Sequence, residues 1–205
     1  MLYIFDEIDN LEDDYPDSIE SLLSADRREK ILRLRSPEKK KASAIAYLLL
    51  RLALSETYGI NETVEFNYAD KGKPLLKKYP HIHFNLSHSK TVVACAISNN
   101  EVGVDVQYIT PVTDLLAKRV LTGQEYDEFK SSLIPDEYFC EIWTIKESYL
   151  KLIGKGITTE LRDIVANEVS DIMIYRSNEY FCCVCGSKMQ TKHVRREDFE
   201  HLLNR

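Results

Sequence analysis

The chain has 205 residues, of which 44% are hydrophobic and 29% charged, so it can bury a sizeable core and has the balance of an ordinary globular protein. Its net charge of −6 argues against nucleic acid as a main partner, because binding a phosphate backbone needs a cationic surface. The longest apolar run, residues 44–50, is far shorter than the roughly 20 residues that span a bilayer, so we expect no membrane span.

The N-terminus and the cysteines both indicate a cytoplasmic protein. The first residues have neither the basic start nor the small-residue cleavage site of a secretory signal. The five cysteines are odd in number, and three of them lie in one apolar run, residues 180–185, that has the pattern of a strand. We expect free thiols, as in a reducing compartment, because a zinc site would need a second, separated pair of ligands.

Charge is distributed unevenly near the start of the chain. Residues 6–20 carry eight acidic side chains and no Lys or Arg, whereas residues 27–41 carry eight basic side chains against two glutamates. One interpretation is that these are solvated helix faces. The other is that residues 27–41 create a positive field that concentrates a small polyanion or steers an acidic protein partner.

The first half of the sequence has the pattern of helices followed by short strands. Residues 18–34 form a polar helical pattern, and Ser36-Pro37-Glu38 predicts the start of a second helix, because serine can cap and proline fits the first turn. Apolar residues then recur at helical spacing until Gly59 should end this helix. Short strands are predicted after it, at residues 64–66, 81–86, 91–97 and 102–107.

The second half repeats this order. Helical patterns cover residues 112–121, 123–132 and 136–153, and strands are predicted at residues 164–166, 172–175 and 180–185. Helices followed by strands therefore occur twice. This order predicts an α+β protein of two similar halves, each a small antiparallel sheet packed with helices. We place the halves at residues 1–102 and 103–205.

Asp105 is the first candidate for chemistry. On a strand its side chain lies on the same face as Gly103 and Gln107 and opposite Val104 and Val106. A carboxylate in such surroundings needs water, a hydrogen-bond donor or a cation. Taken alone, the segment favours a strand-end aspartate that faces water over a cation ligand.

Glu147 and Lys151 form a second candidate pair, four residues apart on a predicted helix. Their spacing and order also suit an ordinary surface ion pair. Trp143, the only tryptophan, lies one turn before Glu147 on the same stripe and indicates a partly buried surface. Mg²⁺ typically takes one or two carboxylates and completes its octahedron with phosphates and water. Asp105 and Glu147 together suit such a metal on a pyrophosphate, with the Gln107 amide as a weaker third ligand.

Groups that suit phosphate lie on two other segments. Lys71 and Lys73 supply cations on a turn that contains a Gly and a Pro, and Ser87 and His88 end a predicted strand. The hydroxyl and the imidazole would bind phosphate oxygens. A Ser-His nucleophilic pair is disfavoured, because adjacent residues rarely aim their side chains at each other and nothing marks a third member.

Four segments carry a resemblance to a known family. They are Gly72-Lys73-Pro74, then Phe84-Asn85-Leu86-Ser87-His88-Ser89, then Gly103-Val104-Asp105-Val106, then Trp143 through Lys151 followed by Gly154-Lys155-Gly156. At these residues the chain resembles the 4′-phosphopantetheinyl transferases of the surfactin-synthetase-activating type. The Trp-x-x-Lys-Glu-x-x-x-Lys pattern with an upstream Gly-Val-Asp-Val is specific, and the matches occur in the family's order.

The resemblance implies a pseudo-twofold α+β monomer with the active site between the halves. Members of this family move the phosphopantetheine arm of coenzyme A onto a serine of an acidic apo carrier protein, acyl or peptidyl, and release adenosine 3′,5′-bisphosphate. By resemblance, Asp105 and Glu147 would hold Mg²⁺, and Lys151 would face the pyrophosphate. Gln107 would complete the metal-binding strand. The residues expected to contact coenzyme A are Arg27, Lys30, Lys41, Lys73, Ser87, His88 and Lys155.

Two positions depart from the family's pattern. Many relatives carry Gly-Ile-Asp-Ile-Glu, whereas this chain has Gln107 in place of the acid, which removes one negative charge from the metal shell. We therefore expect Mg²⁺ to bind more weakly or to keep an extra water. Ala42 stands where the helix usually carries an arginine for the adenine nucleotide, and Lys40 or Lys41 is expected to substitute for it.

Several alternatives stay open from the sequence. The proton acceptor for the carrier serine would be either Glu147 or a metal-bound water. A non-catalytic module that binds coenzyme A or a carrier protein is an alternative function, with Gln107 as the sign of a decaying metal site. A Mg²⁺-dependent hydrolase of a phosphorylated metabolite fits less well, because no second carboxylate pair of the kind used by two-metal hydrolases is visible.

Overall fold

The predicted α+β class is confirmed by a computed structural model that describes residues 1–155 and 161–203. The α-helices within these residues are α1 (Tyr15–Ser18), α2 (Ala25–Leu32), α3 (Pro37–Tyr58), α4 (Asp114–Val120), α5 (Gly123–Ser131), α6 (Pro135–Ile153) and α7 (Arg196–Leu203). The strands are β1 (Leu2–Phe5), β2 (Phe66–Tyr68), β3 (Pro74–Leu76), β4 (His83–Ser89), β5 (Val92–Ser98), β6 (Gly103–Tyr108), β7 (Ile172–Arg176), β8 (Tyr180–Cys185) and β9 (Thr191–His193). None of the described helices has the length and apolar character needed to cross a membrane.

The two long helices end at glycines, as the sequence predicts for α3. The Ser36 hydroxyl accepts a hydrogen bond from the backbone N–H of Lys39 at 3.3 Å, and Pro37 occupies the first turn of α3. Gly59 follows α3 with a φ of 69°, and Gly154 follows α6 with a φ of 64°. Both angles lie in the left-handed region, where glycine carries no steric penalty.

Two main sheets organise the described residues. The first has the strand order β4-β5-β1-β9, in which β1 pairs with β9 in parallel and the other neighbours are antiparallel. The second has the order β6-β8-β7 and is antiparallel throughout, while β2 and β3 form a separate two-stranded pair. β4 and β6 are therefore edge strands, one in each half.

These elements stack in four layers, with α3, the first sheet, the second sheet and α6 in that order. The alternation of side chains along β1 illustrates the stacking, because Phe5 packs in the core under α3 whereas Ile4 packs in the core that includes Val104 of the second sheet. On the outer face of the second sheet, Ile145 of α6 packs against Cys183. Each half thus places a long helix on a small sheet, and the predicted two-half architecture is confirmed.

The C-terminal residues return to the first half. β9 pairs with β1, and Phe199 of α7 packs against Phe5 with ring centroids 5.5 Å apart. The division at residues 102 and 103 stays a prediction. The predicted second half, residues 103–205, includes β9, which belongs to the first sheet, and α7, which packs in the core beneath α3.

Two predicted elements have a different form. The helical pattern at residues 18–34 is interrupted, because Ser24 is extended with a ψ of 158° and caps α2 by accepting a hydrogen bond from the N–H of Arg27. The strand predicted at residues 164–166 is wrong, since this region forms two short 3₁₀ helices, Leu161–Asp163 and Ala166–Glu168. Local apolar patterns of three residues cannot distinguish these forms.

Candidate active site

The edge strands β4 and β6 meet across the two halves and define the location of the site. Three polar side chains on one face of β4 accept hydrogen bonds from alternate N–H groups of β6, and we call this arrangement the side-chain ladder. Its pairs are Val104 N to Asn85 Oδ1 (3.0 Å), Val106 N to Ser87 Oγ (3.2 Å) and Tyr108 N to Ser89 Oγ (3.2 Å). The ladder satisfies donors that a sheet edge would otherwise leave unpaired.

Asp105 lies on β6 between two ladder positions and is 6% exposed. Its Oδ1 accepts hydrogen bonds from Ser87 Oγ at 2.8 Å and from Lys151 Nζ at 2.6 Å. Its Oδ2 is buried and has no hydrogen-bond partner among the described residues. A buried anionic oxygen without a donor is unfavourable, and a cation bound there would relieve this cost.

Gly103 allows α6 to lie directly against β6. A Cβ at this position would come within 2.1 Å of the carbonyl oxygen of Ser148 and 2.4 Å of the backbone nitrogen of Leu152. Any side chain at residue 103 would therefore push the helix away from the strand. The close approach brings Lys151, on α6, within hydrogen-bond distance of Asp105.

Glu147 lies one turn before Lys151 on α6 and is partly buried. Burial raises the pKa of Glu147, repulsion from Asp105 raises it further, and Lys151 acts in the opposite direction. Within residues 1–155 and 161–203, no hydrogen bond or ion pair engages its carboxylate. Asp105 thus has one carboxylate oxygen without a donor, and Glu147 has no hydrogen-bond donor among the described residues, a combination that fits a hard divalent cation such as Mg²⁺.

The donor set around this point is small. Nowhere in the described ranges do three His, Cys, Asp or Glu side chains converge in a way that could hold a metal ion. Asp105 and Glu147 supply two carboxylates, and Gln107 follows on the Asp105 face of β6. This set matches the one or two carboxylates that Mg²⁺ takes when phosphates and water supply its other ligands.

A groove leads away from these residues along the junction of the halves. A cavity of about 250 Å³ is lined by Glu147 and Lys151 together with Lys71, Lys73, Asn85 and Gly154, among others. A second cavity, of about 440 Å³, shares Gly72, Pro74 and Leu86 with the first. Because they share these walls, the two cavities adjoin, and an elongated ligand could occupy both.

The larger cavity is basic. Arg27, Lys30 and His88, which the sequence predicts as coenzyme contacts, line it together with Lys39. Arg27 is buried, donates to the carbonyl of Ser43 at 2.7 Å, and keeps a buried Nε with no partner among the described residues. Burial lowers the pKa of His88, and nearby Lys151 and Arg27 lower it further. This cavity suits a phosphate.

Other predicted contacts lie elsewhere or are engaged within the protein. Lys41 is buried, and its ammonium donates to the carbonyl of Leu11 and pairs with Asp13 at 3.0 Å, away from both cavities. Lys73 lines the smaller cavity, but its ammonium binds Glu101 at 2.6 Å and the Leu152 carbonyl at 3.0 Å. These roles stay predictions.

Two further predicted residues have different surroundings. Lys155 is exposed and borders a separate cavity beside residues 163–171, while Gly156 of the same motif lies outside the described residues. Ser87 is buried and lines neither cavity of the groove, although its neighbour His88 does. The contact predicted between Ser87 and coenzyme A is untested.

Lys146, beside Glu147, is a residue that sequence reasoning missed. It is fully buried and pairs with Glu125 on α5, and it also donates to the Val120 carbonyl at 2.9 Å. Glu125 in turn accepts hydrogen bonds from the N–H groups of Thr122 and Ala166. The pair fixes α6 against α5. In the sequence, Lys146 could have been singled out because it is the first lysine of the Trp-x-x-Lys-Glu-x-x-x-Lys pattern.

Comparisons with known proteins cover almost the whole chain. A sequence model of the 4′-phosphopantetheinyl transferase superfamily matches residues 101–195, and a model of the 4′-phosphopantetheinyl transferase N-terminal region matches residues 12–100. A 4′-phosphopantetheinyl transferase of Bacillus subtilis is 33% identical over 149 residues, which are 71% of this chain and 66% of the relative.

Two other relatives extend this result. The 4′-phosphopantetheinyl transferase Sfp of Bacillus subtilis (strain 168) is 31% identical over 69% of this chain and 64% of its own length. The 4′-phosphopantetheinyl transferase gsp of Aneurinibacillus migulanus is 32% identical over 78% of this chain and 69% of its own length. The chain thus spans just under two thirds of the Bacillus subtilis relatives and slightly more of the last one. On this similarity, and on the two models that match its halves, the chain belongs to the 4′-phosphopantetheinyl transferase superfamily.

Proposed function

We propose that this protein transfers the phosphopantetheine arm of coenzyme A to a serine hydroxyl of an acidic apo carrier protein, acyl or peptidyl, and releases adenosine 3′,5′-bisphosphate. The observation that carries the proposal is the groove, in which Glu147 and Lys151 lie at one end and a basic cavity at the other. The names of the relatives support the same activity. No observation favours the non-catalytic alternative.

Asp105 and Glu147 are the residues that would hold Mg²⁺, with Gln107 as a candidate neutral ligand. The buried, unpartnered Oδ2 of Asp105 and the raised pKa of Glu147 support this assignment. When bound, the metal ion would neutralise charge on the pyrophosphate of the substrate.

The protein's own groups account for binding and for the proton. Lys151, which borders the smaller cavity, would balance the charge of the pyrophosphate, and Arg27, Lys30 and His88 would bind the 3′-phosphate. Binding both substrates across the groove would align the serine oxygen with the β-phosphorus. Glu147, which borders the smaller cavity, is our candidate to accept the serine proton.

The direct test is to incubate the protein with coenzyme A, Mg²⁺ and an apo carrier protein and to measure the mass of the carrier. A gain equal to the phosphopantetheine arm supports the transferase. Carrier binding without a mass gain would favour the non-catalytic module, and breakdown of coenzyme A without a carrier would favour a hydrolase.

We also propose that the protein is a cytoplasmic monomer. The five cysteines are free thiols and all are buried, as expected for a protein that folds in a reducing compartment. Sedimentation at several protein concentrations would test the monomer, because a self-associating chain would sediment faster as concentration rises.

Gln107→Glu is expected to strengthen metal binding. A glutamate at residue 107 would lie on the Asp105 face of β6 and add a third carboxylate to those of Asp105 and Glu147. The added negative charge near the cation should lower the Kd for Mn²⁺, used as a probe, roughly tenfold. Calorimetric titration of the metal-free protein measures this value. Gln124→Glu, on the exposed surface of α5, is the matched control for net charge. An unchanged Kd for Gln107→Glu would place residue 107 outside the metal shell.

His88 should make coenzyme A binding depend on pH. Its pKa is lowered in the free protein, and a phosphate beside it would raise that pKa, so protonation and binding should favour each other. Wild-type affinity relative to His88→Asn should therefore be greatest below the free-state pKa and decline as pH rises through the bound-state pKa. Titration calorimetry between about pH 5 and pH 8 measures this ratio. A ratio that does not change with pH would remove His88 from the phosphate site.

The exposed basic residues near α2 should steer the acidic carrier. The kcat/KM for the carrier is expected to fall as salt rises, because screening weakens long-range attraction. Arg33→Gln/Arg35→Gln removes two exposed charges of this segment and should flatten the dependence. Equal salt slopes for this variant and the wild type would contradict steering by this segment.

A further inference from the structure

We propose that Ser87 is a positioning residue that orients Asp105 and Lys151, and that it makes no contact with coenzyme A. This inference rests on the function proposed above. It concerns a hydroxyl of the first half that acts on two charged groups of the second half, and it follows from the hydrogen bonds of that hydroxyl.

The hydrogen-bonding capacity of Ser87 is fully used within the protein. Its one hydroxyl proton is donated to Asp105 Oδ1 at 2.8 Å. Its two acceptor positions receive the ammonium of Lys151 at 2.8 Å and the N–H of Val106 at 3.2 Å. Since a serine hydroxyl has one donor and two acceptor lone pairs, nothing remains for a ligand.

The location of Ser87 leads to the same conclusion. Ser87 is 7% exposed and borders neither cavity of the groove. Leu86 and His88, its neighbours on β4, both line the larger cavity. Because successive side chains of a strand point to opposite faces, Leu86 and His88 face the larger cavity and Ser87 faces Asp105.

The contacts with Ser87 determine what Asp105 can offer to a cation. Oδ1 is occupied by Ser87 and Lys151, so Oδ2 is the oxygen left without a donor. Lys151 is likewise held between Ser87 and Asp105 at the edge of the smaller cavity. One hydroxyl thus fixes the rotamer of the carboxylate and the position of the ammonium at the same time.

Ser89 supplies a matched control from the same ladder. It accepts a hydrogen bond from the N–H of Tyr108 at 3.2 Å, as Ser87 does from Val106 at the same distance. Among the described contacts, Ser89 bonds to neither Asp105 nor Lys151. Ser89→Ala therefore removes one connection between β4 and β6 without disturbing the charged pair.

The experiment compares Ser87→Ala, Ser87→Cys and Ser89→Ala in steady-state transfer assays and in Mn²⁺ titrations of the free protein. Loss of hydrogen bonds to charged groups should lower the kcat of Ser87→Ala about tenfold and weaken Mn²⁺ binding, while the KM for coenzyme A changes less than about twofold. Ser87→Cys, whose thiol is a weaker donor of similar size, should fall between Ser87→Ala and the wild type, and it remains testable if the alanine variant does not fold. Ser89→Ala should retain wild-type values.

Three outcomes would overturn the inference. A raised KM for coenzyme A with unchanged kcat would make Ser87 a ligand contact. Equal losses of kcat in Ser87→Ala and Ser89→Ala would show that Ser87 acts only through its ladder hydrogen bond to the N–H of Val106. Unchanged Mn²⁺ affinity in Ser87→Ala would exclude orientation of Asp105. If the wild type itself fails to transfer, the proposed function fails, and the Mn²⁺ titrations still decide whether Ser87 orients Asp105.

Discussion

Replacing Asp105 with asparagine is expected to reduce phosphopantetheine transfer by about 10² to 10³-fold, the usual cost of losing one preorganised electrostatic contact in an active site. Asparagine keeps one oxygen that can accept the hydrogen bonds from Ser87 and Lys151. It replaces the buried, unpartnered Oδ2 with an amide nitrogen and removes the negative charge of the carboxylate. The variant should therefore fold, because its shape and one acceptor are retained. The mass assay on an apo carrier measures the loss.

The control for this variant is Asp127→Asn on the exposed side of α5, which changes net charge by the same amount far from the groove. It should transfer at the wild-type rate. Mn²⁺ binding should be lost in Asp105→Asn and kept in Asp127→Asn. Full activity of Asp105→Asn at limiting Mg²⁺ would show that the assignment of Asp105 is wrong.

Lys146→Met is expected to lower the free energy of unfolding by about 3–5 kcal/mol, since breaking a buried ion pair on one side leaves an uncompensated charge. The side chain of Lys146 is fully buried, and that of its partner Glu125 is 8% exposed. Glu125 would keep its backbone donors at Thr122 and Ala166 but lose its counterion. Urea denaturation followed by circular dichroism gives the difference.

Two comparisons separate the loss of the charge pair from the loss of packing. Lys146→Met/Glu125→Gln removes both charges and should recover much of the stability, because no buried charge is left alone. Lys118→Met breaks an exposed i,i+4 pair with Asp114 on α4 and should change stability little. If Lys146→Met were no more destabilising than Lys118→Met, the pair would not fix α6.

The long helices α3 and α6 and the candidate metal ligands could be predicted from the sequence because local patterns encode them. Ser36, Pro37 and Gly59 mark the ends of α3, and the period of apolar residues identifies its buried stripe. Asp105 and Gln107 share a face for the same local reason, and so do Glu147 and Lys151. The family motifs then related these two segments to one site.

One of the two inner strands of the first sheet, β1, could not be predicted in this way. β1 is four residues long, is completely buried and precedes an acidic segment, so its short apolar run gives no alternation to read. Its partners, β5 and β9, are about 90 and 190 residues away in the chain. Pairing at such separation depends on the packing of the whole fold.

By itself, the sequence determined the fold class, the limits of the long helices and the residue types that suit a divalent cation and phosphates. The tertiary structure alone decided which of these groups meet. In the fold, Lys41 forms an ion pair with Asp13, and Lys39 lines the basic cavity. Ser87 forms hydrogen bonds with Asp105 and Lys151. The physical reason is that a side chain's partner depends on which elements pack against its own, and the contact of β4 with β6 brings together residues from opposite halves of the chain.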